Sequence, residues 1–186
     1  MNDPELSATI LRLPATHGPG DPQHRLFKYL KRMDDQRPFI LLDEALAGWQ
    51  WARGYVEDVA HAIVLAVTSE HAAGRVYNVA DATAFTEAEW VRQIARVHGW
   101  KGEVIALPSK QLPPGLRSDA FDLSQQYVVD TSRIRRELGY AEEVSFDEAL
   151  RQTIEWERAH PPEKVDPEQF DYAAEDARLT KSGSIT

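Results

Sequence analysis

The sequence predicts an α/β fold, because segments typical of strands alternate along the chain with segments typical of helices. Short apolar runs that end at turn-forming residues indicate the strands. Stretches whose apolar residues recur three or four positions apart indicate the helices. The predicted order is strand, helix, strand, helix, strand, helix, strand, helix, helix. With 186 residues and 42% hydrophobic content, the chain is large enough for a domain with a substantial core.

The predicted strands are four short apolar segments. The first, 8–13, ends at Pro14 and is followed by a loop containing Gly18-Pro19-Gly20. The other three are 39–42, 75–80 and 103–107. A proline-rich loop is expected over 108–115.

The predicted helices each have a clear apolar periodicity or a clear boundary signal. They cover 23–33, 56–67, 86–98, 130 or 131 to 138, and 146–160. In the second, Val56, Val59, Ala60, Ile63, Val64 and Val67 form an apolar stripe. Capping-box patterns open the third and fifth, at Thr86 to Glu89 and Ser145 to Glu148. Gly99 and Gly139 are predicted helix stops.

Composition excludes several classes of function. Lys plus Arg is 21 and Asp plus Glu is 30, giving a net charge of −9, which argues against non-specific nucleic-acid binding. No apolar run approaches the roughly 20 residues of a membrane span. The N-terminal residues lack the pattern of a signal peptide, so a cytoplasmic location is expected. Cysteine is absent, which excludes disulfides and thiol chemistry.

The common catalytic and nucleotide-binding motifs are also missing. The sequence has no glycine-rich dinucleotide fingerprint, P-loop, G-x-S-x-G or H-E-x-x-H. Its six histidines do not show metal-ligand spacing, so no metal is expected. His61, on the second helix, is interpreted as a surface or boundary residue rather than a ligand.

Five segments, in order, resemble the NAD-dependent epimerase/dehydratase family of extended short-chain dehydrogenases/reductases. The segment 12–21, RLPATHGPGD, is similar to the family's R-P-x-x-V-Y-G-P-G-D. Residues 54–60, GYVEDVA, and 74–79, GRVYNV, resemble its V-D-D-V-A and G-x-x-Y-N-V. Thr86-Glu87 opens the helix that follows, and 130–140, DTSRIRRELGY, resembles D-x-S-K-A-R-x-E-L-G-Y.

The resemblance covers only the C-terminal half of that family. It implies the last parallel strands of a Rossmann-type NAD(P)-binding fold plus a small α/β substrate-binding subdomain. Residues 8–13 would be the sixth strand of the sheet and 75–79 the seventh. The expected domain is 1–160, with 161–186 as a C-terminal tail that is either docked or loose.

The family's catalytic pair, Tyr-x-x-x-Lys, is absent, since no tyrosine here has a lysine four residues later. No catalytic residue is therefore assigned, and the chain alone is expected to be inactive. NAD or NADP would serve the complete enzyme but would not be held tightly by this chain alone. The nearness of the sixth strand to Met1 suggests that the catalytic half lies outside this sequence.

The resemblance also implies candidate binding residues. Leu13, Pro14 and Thr16 would lie against the cofactor, and His17 would face the boundary between cofactor and substrate. For Pro14 and for Gly18, a plain turn is an almost equally good interpretation. Ala15 stands where nucleotide-sugar epimerases place an asparagine, which disfavours a nucleotide-sugar substrate.

Four further residues are substrate-site candidates: Trp49, Trp51, Arg53 and Arg117. Sugar-nucleotide members have an arginine at the position of Trp51. The spacing of Trp49 and Trp51 places both on one face of an extended segment, where they could stack on a ring or, equally, close the side of the core. Arg53 is near this position, and Arg117 falls in the late loop that closes the family's pocket.

Two functions remain open. The chain could be the substrate-binding part of an NAD(P)-dependent epimerase, dehydratase or reductase for a small hydroxylated or carbonyl compound. It could instead be a non-catalytic protein that binds a metabolite or a partner. Expected partners are the missing N-terminal half or further copies of the chain. Since one sheet edge and one apolar face would be uncovered, a marginally stable, aggregation-prone or oligomeric chain is predicted.

Overall fold

The computed structural model describes residues 8–119 and 122–182, and within them six short strands form three parallel pairs. The strands are β1 (Ile10–Arg12), β2 (Ala15–His17), β3 (Phe39–Asp43), β4 (Arg53–Tyr55), β5 (Val76–Asn78) and β6 (Glu103–Leu107). β1 pairs with β5, β2 with β4, and β3 with β6, each in parallel. The α/β class predicted from the sequence is confirmed.

Seven α-helices connect and cover these pairs in the described residues. They are α1 (Phe27–Asp34), α2 (Glu44–Ala47), α3 (Val56–Thr68), α4 (Glu87–His98), α5 (Ser132–Leu138), α6 (Phe146–Ala159) and α7 (Tyr172–Ser182). Single 3₁₀ turns lie at Glu70–Ala72, Ser109–Gln111, Pro114–Leu116 and Pro167–Phe170. None of the helices in these ranges is both long and apolar enough to cross a membrane.

The helix boundary signals act largely as the sequence predicts. Thr86 and Glu89 make both arms of the capping box at the start of α4. Gly99 and Gly139 end α4 and α5 with positive φ angles of 85° and 70°. Ser145 makes only one arm, because its hydroxyl accepts from the Glu148 backbone while the Glu148 side chain bonds elsewhere.

The first helix begins later than predicted, at Phe27 rather than Gln23. Asp21 explains the difference, since its carboxylate accepts hydrogen bonds from the backbone N–H groups of Gln23 and Arg25. These bonds hold the residues between Asp21 and Phe27 in turns. Asp side chains commonly form such bonds with nearby backbone N–H groups in place of helical hydrogen bonds.

The strands β2 and β4 were not predicted, and this part of the sequence interpretation is wrong. Residues 15–17 were expected in a loop after Pro14, and 54 and 55 at a helix start. Gly54 makes the pairing possible, because a Cβ there would lie 2.8 Å from Cγ of Pro14 and 2.9 Å from Cγ2 of Val59. Three-residue strands are too short to show a periodicity.

Helix α3 is confirmed, but most of its apolar stripe does not face the described core. Val59 is buried, whereas Ile63, Val64 and Val67 are 40%, 56% and 79% exposed. Ile10 and Leu13, at β1, are 53% and 45% exposed. We refer to these five exposed side chains, Ile10, Leu13, Ile63, Val64 and Val67, as the exposed apolar set.

The C-terminal segment is docked rather than loose over its described length. Leu179 of α7 is buried in a cluster with Phe39, Leu41 and Leu112. Arg32 of α1 forms a buried ion pair with Glu175, with Nη2 2.6 Å from Oε1. The segment therefore returns across the face of α1 instead of leaving the domain.

Candidate functional site

A cavity of about 460 Å³ opens on one face of the β2–β4 pair. Ala15 and His17 alternate along β2, and Trp51 and Arg53 alternate along the segment that enters β4, so their side chains point to the same side. Helix α4 closes a second wall, the residues from Pro22 to Lys28 a third, and part of the C-terminal segment a fourth. The cavity therefore combines elements from four separate parts of the sequence.

His17 is held in the cavity wall as a neutral imidazole. Burial, with Arg53 as a further cause, lowers its pKa to about 3. Its Nδ1 lies 3.1 Å from the hydroxyl of Thr153, which itself donates to the carbonyl of Ala149. Both contacts are satisfied when the Thr153 hydroxyl donates to Ala149 and the ring proton of His17 is on Nδ1. Nε2 is therefore the lone-pair nitrogen and can accept a hydrogen bond.

Glu87 is the centre of a buried polar cluster at the base of the cavity. Its carboxylate accepts from the hydroxyl of Tyr29, from Nη2 of Arg53 and, at 3.1 Å, from Nε1 of Trp51. Tyr29, Arg53 and Glu87 are each at least nine-tenths buried. The cluster fixes the positions of Trp51 and Arg53 relative to α4.

Arg53 lies between two aromatic rings. Its guanidinium carbon is 4.8 Å from the centroid of the Trp51 ring and 4.7 Å from that of Trp90. Burial lowers its pKa, and the Glu87 carboxylate offsets part of this effect. With Glu87 and the Phe85 carbonyl as partners, the guanidinium is committed to the protein rather than free for a ligand anion.

The third wall carries more charge than the base. Arg25 donates to Asp21 and to the carbonyl of Thr16, at 2.5 and 2.9 Å. The Lys28 side chain is 45% exposed, and its Nζ lies 3.8 Å from Oε1 of Glu87. His24 places Nδ1 2.9 Å from the buried carboxylate of Glu157.

The predicted cofactor-side residues lie outside this cavity. Leu13 and Pro14 line a smaller one of about 310 Å³, together with Tyr127 and Val128. The hydroxyl of Thr16 lies 3.3 Å from the carbonyl of Pro14 and donates to it.

The predicted substrate-side residues are only partly brought together. His17, Trp51 and Arg53 share the 460 Å³ cavity. The Trp49 ring lies beside that of Trp51, with centroids 5.4 Å apart, but its Nε1 donates to the Gln125 carbonyl outside the cavity. Arg117 is exposed and donates from Nε to the Leu112 carbonyl.

Sequence reasoning missed Glu87, Trp90 and the C-terminal wall. A signal for Glu87 was present, since it lies three and four positions before Trp90 and Val91 and so falls on the buried face of α4. An acidic residue within an apolar stripe needs a partner. No comparable signal marks residues 162–170, whose place depends on the docking of α7.

A second, acidic cavity of about 660 Å³ is also lined by His17. Asp58, Asp81 and Glu142 line it with Tyr55. Burial, reinforced by Glu142 and Asp58, raises the pKa of Asp81 to about 7. Among the residues that the structure describes, no group of three or more potential ligands could hold a metal ion.

The fold and its parallel strand pairs define a Rossmann-like α/β protein, and comparison with known proteins identifies the family that it resembles. The model of the NAD dependent epimerase/dehydratase family matches residues 1–80. An epimerase, Mth375, from Methanothermobacter thermautotrophicus superposes with a TM-score of 0.64 at 20% identity, over 85% of this chain and 45% of that chain. The UDP-glucose 4-epimerase of Thermus thermophilus, solved with NAD, gives 0.62 at 23%, over 83% and 48%.

Curated sequences give the same result. A dTDP-glucose 4,6-dehydratase of Streptomyces niveus is 27% identical over 154 residues, covering 82% of this chain and 42% of the relative. The uncharacterized protein y4nL of Sinorhizobium fredii is 23% identical over 172 residues, covering 81% and 47%. The resemblance to NAD-dependent epimerases/dehydratases of the extended short-chain type is confirmed, and the chain spans less than half the length of these curated relatives.

Proposed function

We propose that the chain forms the substrate side of an NAD(P)-dependent epimerase, dehydratase or reductase for a small hydroxylated or carbonyl compound. The observation that carries this proposal is the cavity on the β2–β4 pair. In it, Trp51 offers a ring surface and His17 a neutral hydrogen-bond acceptor. A largely preformed cavity with few convergent polar groups is the usual form of a small-molecule site.

These residues bind and orient a ligand rather than transform it. Nε2 of His17 accepts a hydrogen bond from a ligand hydroxyl, and the Trp51 ring excludes water from one face of the ligand. With a pKa of about 3, His17 stays neutral near pH 7 and supplies no proton there. Oxidation or reduction of the ligand would require the nicotinamide, which supplies hydride chemistry when bound.

The residues of this chain do not fit a complete dinucleotide site. A pyrophosphate needs glycines that leave the backbone open to it. At Gly18 the space is filled by the protein itself, because a Cβ there would lie 2.6 Å from Cγ1 of Val56. Leu13, Pro14 and Thr16 could supply only one edge of a cofactor site. We expect calorimetric titration of the chain with NAD and NADP to show no micromolar binding, and such binding would contradict this assignment.

The exposed apolar set supports a partner for the complete protein. Val64 and Val67 of α3 are 56% and 79% exposed although α3 is strongly apolar. Single exposed apolar residues are ordinary, but several on one element favour an interaction surface. The proposed partner is a Rossmann-type half that carries the cofactor. A non-catalytic metabolite-binding or partner-binding protein remains the alternative function.

Ligand binding tests the role of the cavity. The probe is 4-hydroxyacetophenone, a hydroxylated carbonyl compound, observed by saturation-transfer NMR and by quenching of tryptophan fluorescence. Trp51→Leu should abolish binding, whereas Trp49→Leu is the matched control because its ring lies outside the cavity. Equal binding by the two variants, or no binding by the unchanged chain, would refute the proposed role.

A further inference from the structure

The C-terminal segment gives the cavity charges that the strand pair does not supply. Pro162, Lys164, Val165, Asp166, Gln169 and Phe170 form its fourth wall. Arg32 holds the segment at two points, through the Gln169 carbonyl within this wall and through the buried pair with Glu175 beyond it. These contacts place the segment against the cavity.

Arg53, at the base of the cavity, is less available to a ligand than Lys28 and Lys164, which lie at the opening, or mouth, of the cavity. Arg53 is 5% exposed and is bonded to Glu87. The Lys28 side chain is 45% exposed, and its Nζ also lies near Glu87, 3.8 Å from Oε1. Lys164 is exposed and has no ion pair among the described residues 8–119 and 122–182.

The charges around the cavity leave a small positive excess. Arg53, Lys28 and Lys164 stand against the carboxylates of Glu87 and Asp166. One oxygen of Asp166 is already used, since it accepts from the Glu168 backbone at the start of a turn. Arg25 is paired separately with Asp21, and His24 with Glu157. An excess of one positive charge matches a ligand with one negative charge better than a ligand with two or more.

The apolar surfaces suggest the body of the same ligand. Trp51 lines the cavity from the strand side, and Phe27 and Phe170 line it from the mouth, with ring centroids 6.0 Å apart. The two phenylalanine rings meet edge to face, at 77°, and aromatic side chains favour contact with a planar ring in stacked or edge-to-face geometry. His17, on the β2 side of this space, also lines the cavity, and its Nδ1 contacts the hydroxyl of Thr153.

We infer that the cavity takes a hydroxylated ring compound that bears a single acidic group, and that Lys164 together with Lys28 selects that group. The inference rests on the proposed function, because it names the substrate class of the same cavity. Lys164 acts as a specificity residue that the C-terminal segment brings to the site, and the acidic group would lie at the mouth while the ring contacts Trp51.

The experiment compares two probes of similar size that differ in charge. 4-Hydroxybenzoate carries one carboxylate near neutral pH, and 4-hydroxyacetophenone carries none. Dissociation constants would be measured by calorimetry at low and high salt. We expect the acid to bind about tenfold more tightly at low salt, and the difference to shrink at high salt because the charges are screened.

Three variants assign the effect to the proposed residues. Lys164→Met and Lys28→Met should each reduce the preference for the acid over 4-hydroxyacetophenone about threefold or more. Lys110→Met is the matched control, since Lys110 is exposed but lies outside the cavity. It should retain the full preference.

The outcomes separate this inference from the proposed function. If 4-hydroxyacetophenone binds at the Trp51 wall as tightly as the acid, the inference is wrong and the proposed cavity role stands. If neither probe binds, both are overturned. Thymidine diphosphate serves as a third probe, and tighter binding of this more highly charged group than of 4-hydroxybenzoate would also overturn the inference.

Discussion

Replacing Asp81 by Asn should stabilise the protein at alkaline pH and have little effect at acidic pH. Asp81 is partly buried beside Glu142 and Asp58, and burial followed by these two charges raises its pKa from 3.8 to about 7. In the unfolded chain the carboxyl group has its ordinary pKa. Asn keeps an oxygen that can accept the hydrogen bond from the Tyr55 backbone N–H, and it removes the charge.

The sign and size follow from proton linkage. Between about pH 4 and pH 7 the folded protein holds the proton while the unfolded chain has lost it, so unfolding releases a proton and stability falls as the pH rises. Above pH 7 the folded protein has lost the proton as well, so the stability no longer falls with pH on account of Asp81. The pKa of Asp81 differs by about three pH units between the folded and the unfolded protein. At 1.36 kcal/mol for each pH unit, this difference lowers the free energy of unfolding by up to about 4 kcal/mol.

The measurement is urea unfolding followed by tryptophan fluorescence at several pH values from 4 to 8. The free-energy difference between Asp81→Asn and the unchanged chain should grow with pH in favour of the variant. Glu163→Gln, which removes an exposed acid, should show no such trend. A difference that is constant with pH would show that the Asp81 carboxyl titrates normally and would refute the reasoning.

Two other substitutions test the docking of the C-terminal segment and the exposed apolar set. Glu175→Gln should cost about 3–5 kcal/mol in urea unfolding, because it leaves Arg32 buried without its countercharge. The double variant Arg32→Met with Glu175→Leu should recover most of this loss, and a double variant as unstable as the single one would contradict the argument. Val64→Lys with Val67→Lys should reduce self-association in sedimentation velocity while changing the unfolding free energy by less than about 1 kcal/mol, since both positions are exposed. Unchanged association would show that this helix face is not the contact.

Elements set by local rules could be predicted from the sequence. The start of α4 depends on Thr86 and Glu89, which lie within one turn of each other, and its end depends on Gly99. The strand β6, at Glu103–Leu107, has the bounds predicted for an apolar run between turns. In each case the residues that decide the structure are neighbours along the chain, so their spacing carries the information.

The pairing of β2 with β4 and the Glu87 cluster could not be obtained in this way. Thr16 pairs with Gly54, and Glu87 takes its partners from Tyr29 and Arg53. These contacts depend on how three separated segments pack. The sequence showed which residue types were present near the site, but only the fold shows which of their charges compensate each other.

The pairing of Arg53 with Glu87 changes which chemical groups this wall of the cavity presents. The resemblance to sugar-nucleotide members implies an arginine at position 51, where this chain has a tryptophan. Arg53 lies two residues further on and therefore points to the same side of the strand, but Glu87 neutralises it beneath the Trp51 ring. On this side the Trp51 ring lines the cavity, and the cation beside it is already paired. We therefore expect Lys28 and Lys164, which also line the cavity, to recognise the acidic group of the ligand inferred above.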